Sequence, residues 1–229
     1  MSKRQGDWRQ RLYGWATHRL YHQWAWAYDP VSWCVSLGRW NGWRLDALEH
    51  VGGQRVLELG FGTGELLLEM ARRGWPTVGI DPSLAMQRLT ARKADRRRLA
   101  PPRVCAAAQA LPFAAGLFDA VVATFPAEYI VERATLREAA RVLRPPDPAS
   151  GAPGGRLVMA GLYVRLHHPL VRWLGRAALG KSEGFSLEQY GEALAQCGLQ
   201  LRVIADEVGW VRAPLFVAER VALQREGEE

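Results

Sequence analysis

The residues with the clearest chemistry are two carboxylates and three glycines. Glu58 and Asp81 close two successive apolar runs, and Gly60, Gly62 and Gly64 lie between them in Leu59-Gly-Phe-Gly-Thr-Gly-Glu65. Glycines at this spacing let the chain turn sharply and bring its backbone against a ligand where a Cβ would collide. The spacing is GxGxG. A dinucleotide-binding GxGxxG also needs a small residue at the position held here by Glu65, and a carboxylate at Glu58 is poorly placed beside a pyrophosphate. Glu58 suits a cationic ammonium group instead, directly or through water. Asp81 ends the next run, where an acidic residue accepts hydrogen bonds from both hydroxyls of a ribose. A ribose and a positive charge without phosphates describe S-adenosylmethionine, and that cofactor is the expectation.

Those residues need strand ends and helix starts to hold them. Short apolar runs at Arg55–Leu59, Thr77–Asp81, Arg103–Ala107, Phe118–Phe125 and Arg156–Gly161 predict strands, and helices are predicted at about 64 to 74, 84 to 98 and 133 to 143. Strand and helix in alternation mean parallel crossovers and a sheet covered on both faces. Ser186 to Cys197 reads as a further helix with Ser186 as its N-cap. Strands at about 200 to 206 and 211 to 221, with no helix between them, predict a closing antiparallel hairpin. The stretch from Pro145 to Gly155, PPDPASGAPGG, predicts a flexible surface connection.

An open sheet of this kind places its ligand crevice beyond the carboxyl ends of its strands. Phe125-Pro-Ala-Glu-Tyr129 follows the fourth strand, which makes Glu128 and Tyr129 candidates for contact with substrate or cofactor. His167, in the pair His167-His168, is a candidate base because imidazole titrates near neutral pH. Residues 162 to 184 are apolar with Arg165, Arg172, Arg176 and Lys181 interleaved. That texture fits a lid over a greasy substrate, contact with an anionic membrane, or a helix packed on the domain.

Composition narrows the classes. The chain has 229 residues, 48% hydrophobic, with 30 basic and 23 acidic residues and a formal charge of +7, which excludes a disordered chain. Seven of its ten tryptophans lie in the first 43 residues: Trp8, Trp15, Trp24, Trp26, Trp33, Trp40 and Trp43. Residues 1 to 50 therefore predict an aromatic cap of two or three short helices, broken at Asp29-Pro30 and near Gly38 and Gly42, ahead of a domain over 51 to 229. Cys34, Cys105 and Cys197 are far apart and in no CxxC pair, so they read as core thiols in a reducing compartment, with no metal site. No signal-peptide core and no membrane-length apolar run is present, and the expectation is a cytoplasmic protein, with peripheral membrane contact left open. The cluster Lys93, Arg96, Arg97, Arg98 sits at a predicted helix C-terminus, where the dipole favours cations, and it reads as a solvated helix end rather than a nucleic-acid surface.

From about Tyr28 onward the sequence resembles the class I S-adenosylmethionine-dependent methyltransferases, of the methyltransferase type 11-like kind. Glu58-Leu-Gly-Phe-Gly-Thr-Gly64 is similar to their first motif and Val78-Gly-Ile-Asp-Pro-Ser83 to their second. Ala107-Ala-Gln-Ala-Leu-Pro-Phe113 with Phe118-Asp119 looks like the end of their third strand and its sequel. Arg141-Val-Leu-Arg-Pro145 and Gly154-Gly-Arg-Leu157 resemble a usually continuous RVLRPGGRL, here split by about eight residues. The resemblance implies a Rossmann-like three-layer α/β sandwich, with a seven-stranded, mostly parallel sheet and a C-terminal antiparallel strand. It places Gly60 and Gly62 against the methionine moiety, Glu58 at its ammonium, Asp81 at the ribose and Met86 near adenine, with Tyr28, Phe61, Pro82 and Thr124 completing the cofactor wall. Many relatives carry Asp where this chain has Ala107, so Gln109 and the backbone of Ala108 become the candidates for the adenine amino group.

Tyr28-Asp29, Ser36-Leu-Gly38 and Trp43-Arg44 are similar to landmarks of the quinone C-methyltransferases of menaquinone and ubiquinone biosynthesis, and bacterial phospholipid N-methyltransferases share part of that layout. Thr124-Phe-Pro-Ala lacks the Asn/Asp-Pro-Pro-Tyr/Phe motif with which base and amine methyltransferases hold a planar amine. The expected activity is direct methyl displacement onto a small, hydrophobic or lipid-like acceptor. An RNA methyltransferase and a non-catalytic S-adenosylmethionine-binding regulator are the alternatives.

Overall fold

A computed structural model describes residues 40–51, 55–126, 128–161, 165–166, 186–204, 211–212 and 215–222. Tyr28, Cys34, His167, residues 1–39 of the expected cap and nearly all of the 162 to 184 insertion lie outside the described residues.

In chain order the elements are α1 (Trp40–Glu49), β1 (Val56–Leu59), α2 (Glu65–Arg72), β2 (Thr77–Ile80), α3 (Leu84–Arg97), β3 (Arg103–Val104), β4 (Ala120–Thr124), a 3-10 turn (Glu128–Val131), α4 (Arg133–Val142), β5 (Arg156–Ala160), β6 (Arg165–Leu166), α5 (Leu187–Ala195), β7 (Leu199–Ile204), β8 (Val211–Arg212) and β9 (Leu215–Arg220). Seven strands form one sheet in the order β3-β2-β1-β4-β5-β9-β7. The pairs from β3 to β5 are parallel, and β9 runs antiparallel to both β5 and β7. Strand order reverses between β1 and β4, so the crevice of an open α/β sheet falls above those two strands.

Alternation of side chains builds the layers. Leu57, Leu59, Val121, Ala123, Leu157 and Met159 pack with Leu136 and Ala139 of α4 and with Tyr190 and Leu194 of α5. Val56, Ala120, Val122, Val158 and Ala160 face the other way, toward Ala47 and Leu48 of α1, Leu66, Leu67 and Met70 of α2, and Met86 of α3. The result is the expected three-layer sandwich, and Glu58 shares its face with Val56.

Ser186 caps α5 as expected, its Oγ accepting from the Gln189 N–H at 3.3 Å. Other expectations need correction. β3 stops at Val104 because the Asp81 N–H donates to the Val104 carbonyl and β2 then turns away into α3, which leaves residues 105 to 107 without a strand to pair with. Cys105 is consequently exposed and not a core thiol, whereas Cys197 is half-buried and packs against the core as expected. Gly42 does not break the first helix. It is exposed within α1, and a single helical glycine costs only about 1 kcal/mol, which the burial of Ala47 and Leu48 offsets. The 211 to 221 run is two strands: β8 pairs with β6 in a separate ribbon, and only β9 joins the sheet. The Pro/Gly stretch holds no helix or strand, but an Asp147 to Ala152 bridge and hydrogen bonds to Asp147 from Ala149 and Ser150 fold it into a turn. Gly155 beyond it lies where a Cβ would be 2.9 Å from the Asp119 carbonyl, so the split motif closes again at a backbone contact.

Gly79 of β2 shows how tightly this face is filled, since a Cβ there would lie 2.7 Å from Phe61 Cδ1 and 2.8 Å from Leu67 Cδ2. Gly79→Ala is expected to overpack the contact between β2 and the glycine turn and to lower unfolding free energy by about 1–3 kcal/mol in urea titrations.

Candidate functional site

Glu58 is the third residue of β1 and only 2% exposed. A parallel strand covered on both faces offers a carboxylate no route to water. Burial pushes its carboxyl up to about 8, against the pull of the Arg44 guanidinium on α1; the Asp81 carboxylate adds to the rise, and the Leu67 backbone N–H in the first turn of α2 opposes it. One oxygen, Oε2, is buried without a hydrogen-bond partner. An orphaned buried carboxyl oxygen is a costly arrangement that a multi-donor cation relieves. The ammonium end of S-adenosylmethionine fits that requirement.

The glycine turn hangs from β2. The N–H groups of Gly60 and Phe61 both donate to the Ile80 carbonyl, at 2.8 and 3.1 Å. Gly60 has φ +65°, and a Cβ on it would lie 2.5 Å from the Tyr129 hydroxyl oxygen. Tyr129 is thereby placed over the turn, its hydroxyl donating to the Leu59 carbonyl at 3.2 Å. Gly64, at φ +78°, caps α2 with its α-carbon against Thr90, whose Cγ2 would be 2.3 Å from an added Cβ.

Asp81 is 5% exposed and bridges two backbones. Its Oδ2 accepts from the Gly62 N–H at 2.9 Å and its Oδ1 from the Ser83 N–H at 2.8 Å. Ser83 caps α3, accepting from the Met86 N–H at 3.4 Å. Glu58, Gly60, Phe61, Gly62 and Asp81 are therefore one cluster, as their spacing implied. Pro82 is exposed beside it, Thr124 is half-buried at the end of β4, and Ala108 and Met86 are buried. Met86 shares a core cluster with Phe61 and Leu66. The Gln109 amide donates to Glu132 Oε2 at 2.9 Å. Glu128 begins the 3-10 turn that carries Tyr129.

Several residues that hold this site escaped the sequence reading. Thr90 donates its hydroxyl to the Gly62 carbonyl at 3.0 Å, and Gln87 donates through Nε2 to the carbonyls of Asp81 and Val104 at 2.9 and 3.0 Å. Lys93 and Arg97 pair with Glu65 at 2.8 Å each, so half of the basic cluster grips α2 rather than standing in solvent. Glu138 and Arg141 of α4 pin the loop after β3, through the Leu111 N–H and the carbonyls of Phe113 and Leu111. Leu84 is 60% exposed on the first turn of α3, beside Asp81. The usable signal was the three- and four-residue spacing of Gln87, Thr90 and Ala94, and of Lys93 and Arg97, on one helix.

Phe125, just beyond β4, has φ +49°, and its N–H donates to the Ala160 carbonyl at 2.7 Å. Its ring covers Gly161, where a Cβ would lie 2.2 Å from Cδ1. A left-handed aromatic residue at the carboxyl end of a central strand marks a strained position at the crevice. No helix among the described residues is long and apolar enough to cross a membrane.

Residues 56–146 match the family model described as a methyltransferase domain. Over 136 residues the chain is 38% identical to a demethylmenaquinone methyltransferase of Mycolicibacterium paratuberculosis, a match covering 58% of this chain and 53% of that protein. The chain spans about half the length of the curated relatives it matches. Among solved structures, the geranyl diphosphate C-methyltransferase of Streptomyces coelicolor, in complex with geranyl diphosphate and S-adenosyl-L-homocysteine, is similar at TM-score 0.60 and 16% identity over 79% of each chain. The cyclase SpnF is similar at TM-score 0.56 and 20% identity, over 78% of this chain and 79% of that one. At those identities the two likenesses establish the Rossmann-like architecture.

The buried carboxyl makes a pH signature. Its folded value, about 8, lies above the ordinary 4.5, so the folded state binds the proton more tightly and stability falls as pH rises from about 4.5 to about 8. Glu58→Gln removes that dependence: in the absence of ligand its melting temperature is expected to exceed that of the unaltered protein at pH 8, with the gap closing toward pH 5. A gap of equal size at both pH values would contradict the assignment.

Proposed function

From the premise that residues 56–146 belong to the class I S-adenosylmethionine-dependent methyltransferase domains, we propose that the protein methylates a carbon of a hydrophobic, quinol-like ring. The observation that carries the cofactor half of this reading is the orphaned Oε2 of Glu58 beside Asp81, under a glycine turn too close to Tyr129 for any side chain. Glu58 holds the ammonium, Asp81 the ribose hydroxyls, and the backbone from Gly60 to Gly62 runs along the methionine chain. Pro82 and Leu84 border the adenine. When bound, the cofactor supplies a methyl group already activated by a sulfonium charge. The protein's part is then alignment and exclusion of water.

The acceptor half rests on the curated relatives, on the Phe125 wall and on the basic, apolar texture of residues 162 to 184. Planar rings stack on aromatic side chains, and the Phe125 ring is held in one place by the β4 and β5 ends. Attack by a ring carbon is helped by loss of a hydroxyl proton from the quinol. Glu128 and His167 are the proposed acceptors of that proton, with Tyr129 positioned by its bond to Leu59 to close the wall beside Gly60. The lid texture supports peripheral contact with a membrane, where such an acceptor would partition.

Labelled S-adenosylmethionine incubated in parallel with a 2-polyprenyl-1,4-naphthoquinol, phospholipid vesicles and RNA tests the reading. Label in the naphthoquinol is expected, and label in RNA alone would overturn it. Gly60→Val and Asp81→Ala are each expected to weaken S-adenosylmethionine binding by about a hundredfold or more in calorimetry, the scale of about 3 kcal/mol. Unchanged affinity in both would reject the cofactor site. Phe125→Leu is expected to raise the KM for the naphthoquinol by about tenfold, the order of one aromatic contact, while leaving cofactor affinity in place.

A further inference from the structure

Gly62 is held at both of its backbone polar groups by side chains from elsewhere in the chain. Its N–H donates to Asp81 Oδ2 at 2.9 Å, and its carbonyl accepts from the Thr90 hydroxyl at 3.0 Å. Thr90 is 0% exposed, and its methyl group lies against Gly64, two residues further along the same turn. One residue of α3 thus fixes both the carbonyl of Gly62 and the α-carbon that caps α2. Gln87, one helical turn earlier, ties the carbonyl ends of β2 and β3 through Asp81 and Val104. The same helix grips α2 again through Lys93 and Arg97 on Glu65.

The Asp81 side of this arrangement has two claims on it. The carboxylate proposed to accept the ribose hydroxyls is the one whose Oδ2 already accepts from Gly62, while Oδ1 accepts from Ser83. We propose that Asp81 exchanges the Gly62 N–H for a ribose hydroxyl when the cofactor binds, and that Thr90 is the positioning residue that holds the glycine turn through the exchange. This rests on the cofactor reading above. The physical reason is differential: the Thr90 bond is one of two side-chain holds on Gly62 in the free protein and the remaining one in the complex. A hold that matters more in the complex than in the free protein contributes to affinity as well as to stability.

Thr90→Val keeps the branched shape and the methyl against Gly64 but leaves the buried Gly62 carbonyl without its donor. It is expected to weaken S-adenosylhomocysteine binding by about tenfold in calorimetry, the scale of one buried acceptor left unmet, with the KM for the naphthoquinol unchanged. Thr90→Ser, which restores the hydroxyl, is expected to bind within about threefold of the unaltered protein. A Thr90→Val protein that melts lower yet binds as tightly would overturn the proposal, because Thr90 would then be structural alone. The unaltered protein gives a second reading free of any folding defect. In a crystal structure with S-adenosylhomocysteine, Asp81 Oδ2 should have left the Gly62 N–H while the Thr90 to Gly62 bond persists, and an intact Asp81 to Gly62 bond would overturn the exchange. Absence of binding by the unaltered protein would overturn the cofactor reading itself, and the exchange with it; binding with an indifferent Thr90→Val overturns the positioning role of Thr90 alone.

Discussion

A carboxyl group without access to water organises the upper end of this fold. Glu58 sits in the middle of a sheet whose β1 and β4 are buried on both faces, and desolvation outweighs the nearby Arg44 charge in setting its proton affinity. A hydrophobic residue in its place would pack without that penalty, so the position has no value to the core alone. The surroundings limit the cost in two ways. Arg44 approaches from α1, and the amino end of α2 brings the Leu67 N–H and the positive end of its dipole toward the carboxyl. One oxygen is still left over, two residues before a glycine turn that the Tyr129 hydroxyl covers.

Strand order divides the labour around that point. β1, β2 and β3 run outward on one side of the reversal, and their carboxyl ends carry Glu58, Asp81 and the loop pinned by Glu138 and Arg141. β4 and β5 run outward on the other, and their ends carry Tyr129, Phe125 and Gly161. The antiparallel β9 and β7 extend the sheet and supply core through Phe216 and Leu199, away from the glycine turn. A polar half and an aromatic half thus meet above β1 and β4, and the proposed transfer from a charged methyl donor to an apolar ring rests on that juxtaposition.

What the sequence made legible follows from the range of the interactions involved. Glu58, the glycines and Asp81 are legible because a strand end, a turn and a helix start are local, and each demands particular residue types. The helix spans and the strands up to β5 agree within about three residues for the same reason, whereas the 211 to 221 run divides between two sheets. Thr90, Gln87 and the Lys93–Glu65–Arg97 pairings were not legible as site residues, since their partners lie up to 32 residues away and a polar helix stripe reads first as a solvated face. Cys105 belongs to an apolar run that looks like continuous strand, yet β3 ends at Val104 where β2 leaves it. Gly42 misled because glycine weakens a helix without forbidding it. The left-handed conformation of Phe125 has no sequence signature at all: Phe is among the residue types least suited to it.

Phe125 is stable there because of a residue that touches it from another strand. The left-handed backbone costs about 1–2 kcal/mol for a residue with a side chain, and the N–H donation to Ala160 recovers part of it. The rest depends on Gly161, whose own φ of +72° turns the chain after β5 and whose missing Cβ leaves room for the ring. The dependence runs one way: a methyl group at Gly161 would occupy the position of the Phe125 ring, whereas glycine tolerates its own positive φ whatever stands at position 125. The aromatic wall is therefore set by a pair of strand ends rather than by one side chain. Its position relative to the glycine turn follows from the parallel registers that join β1 to β4 and β4 to β5.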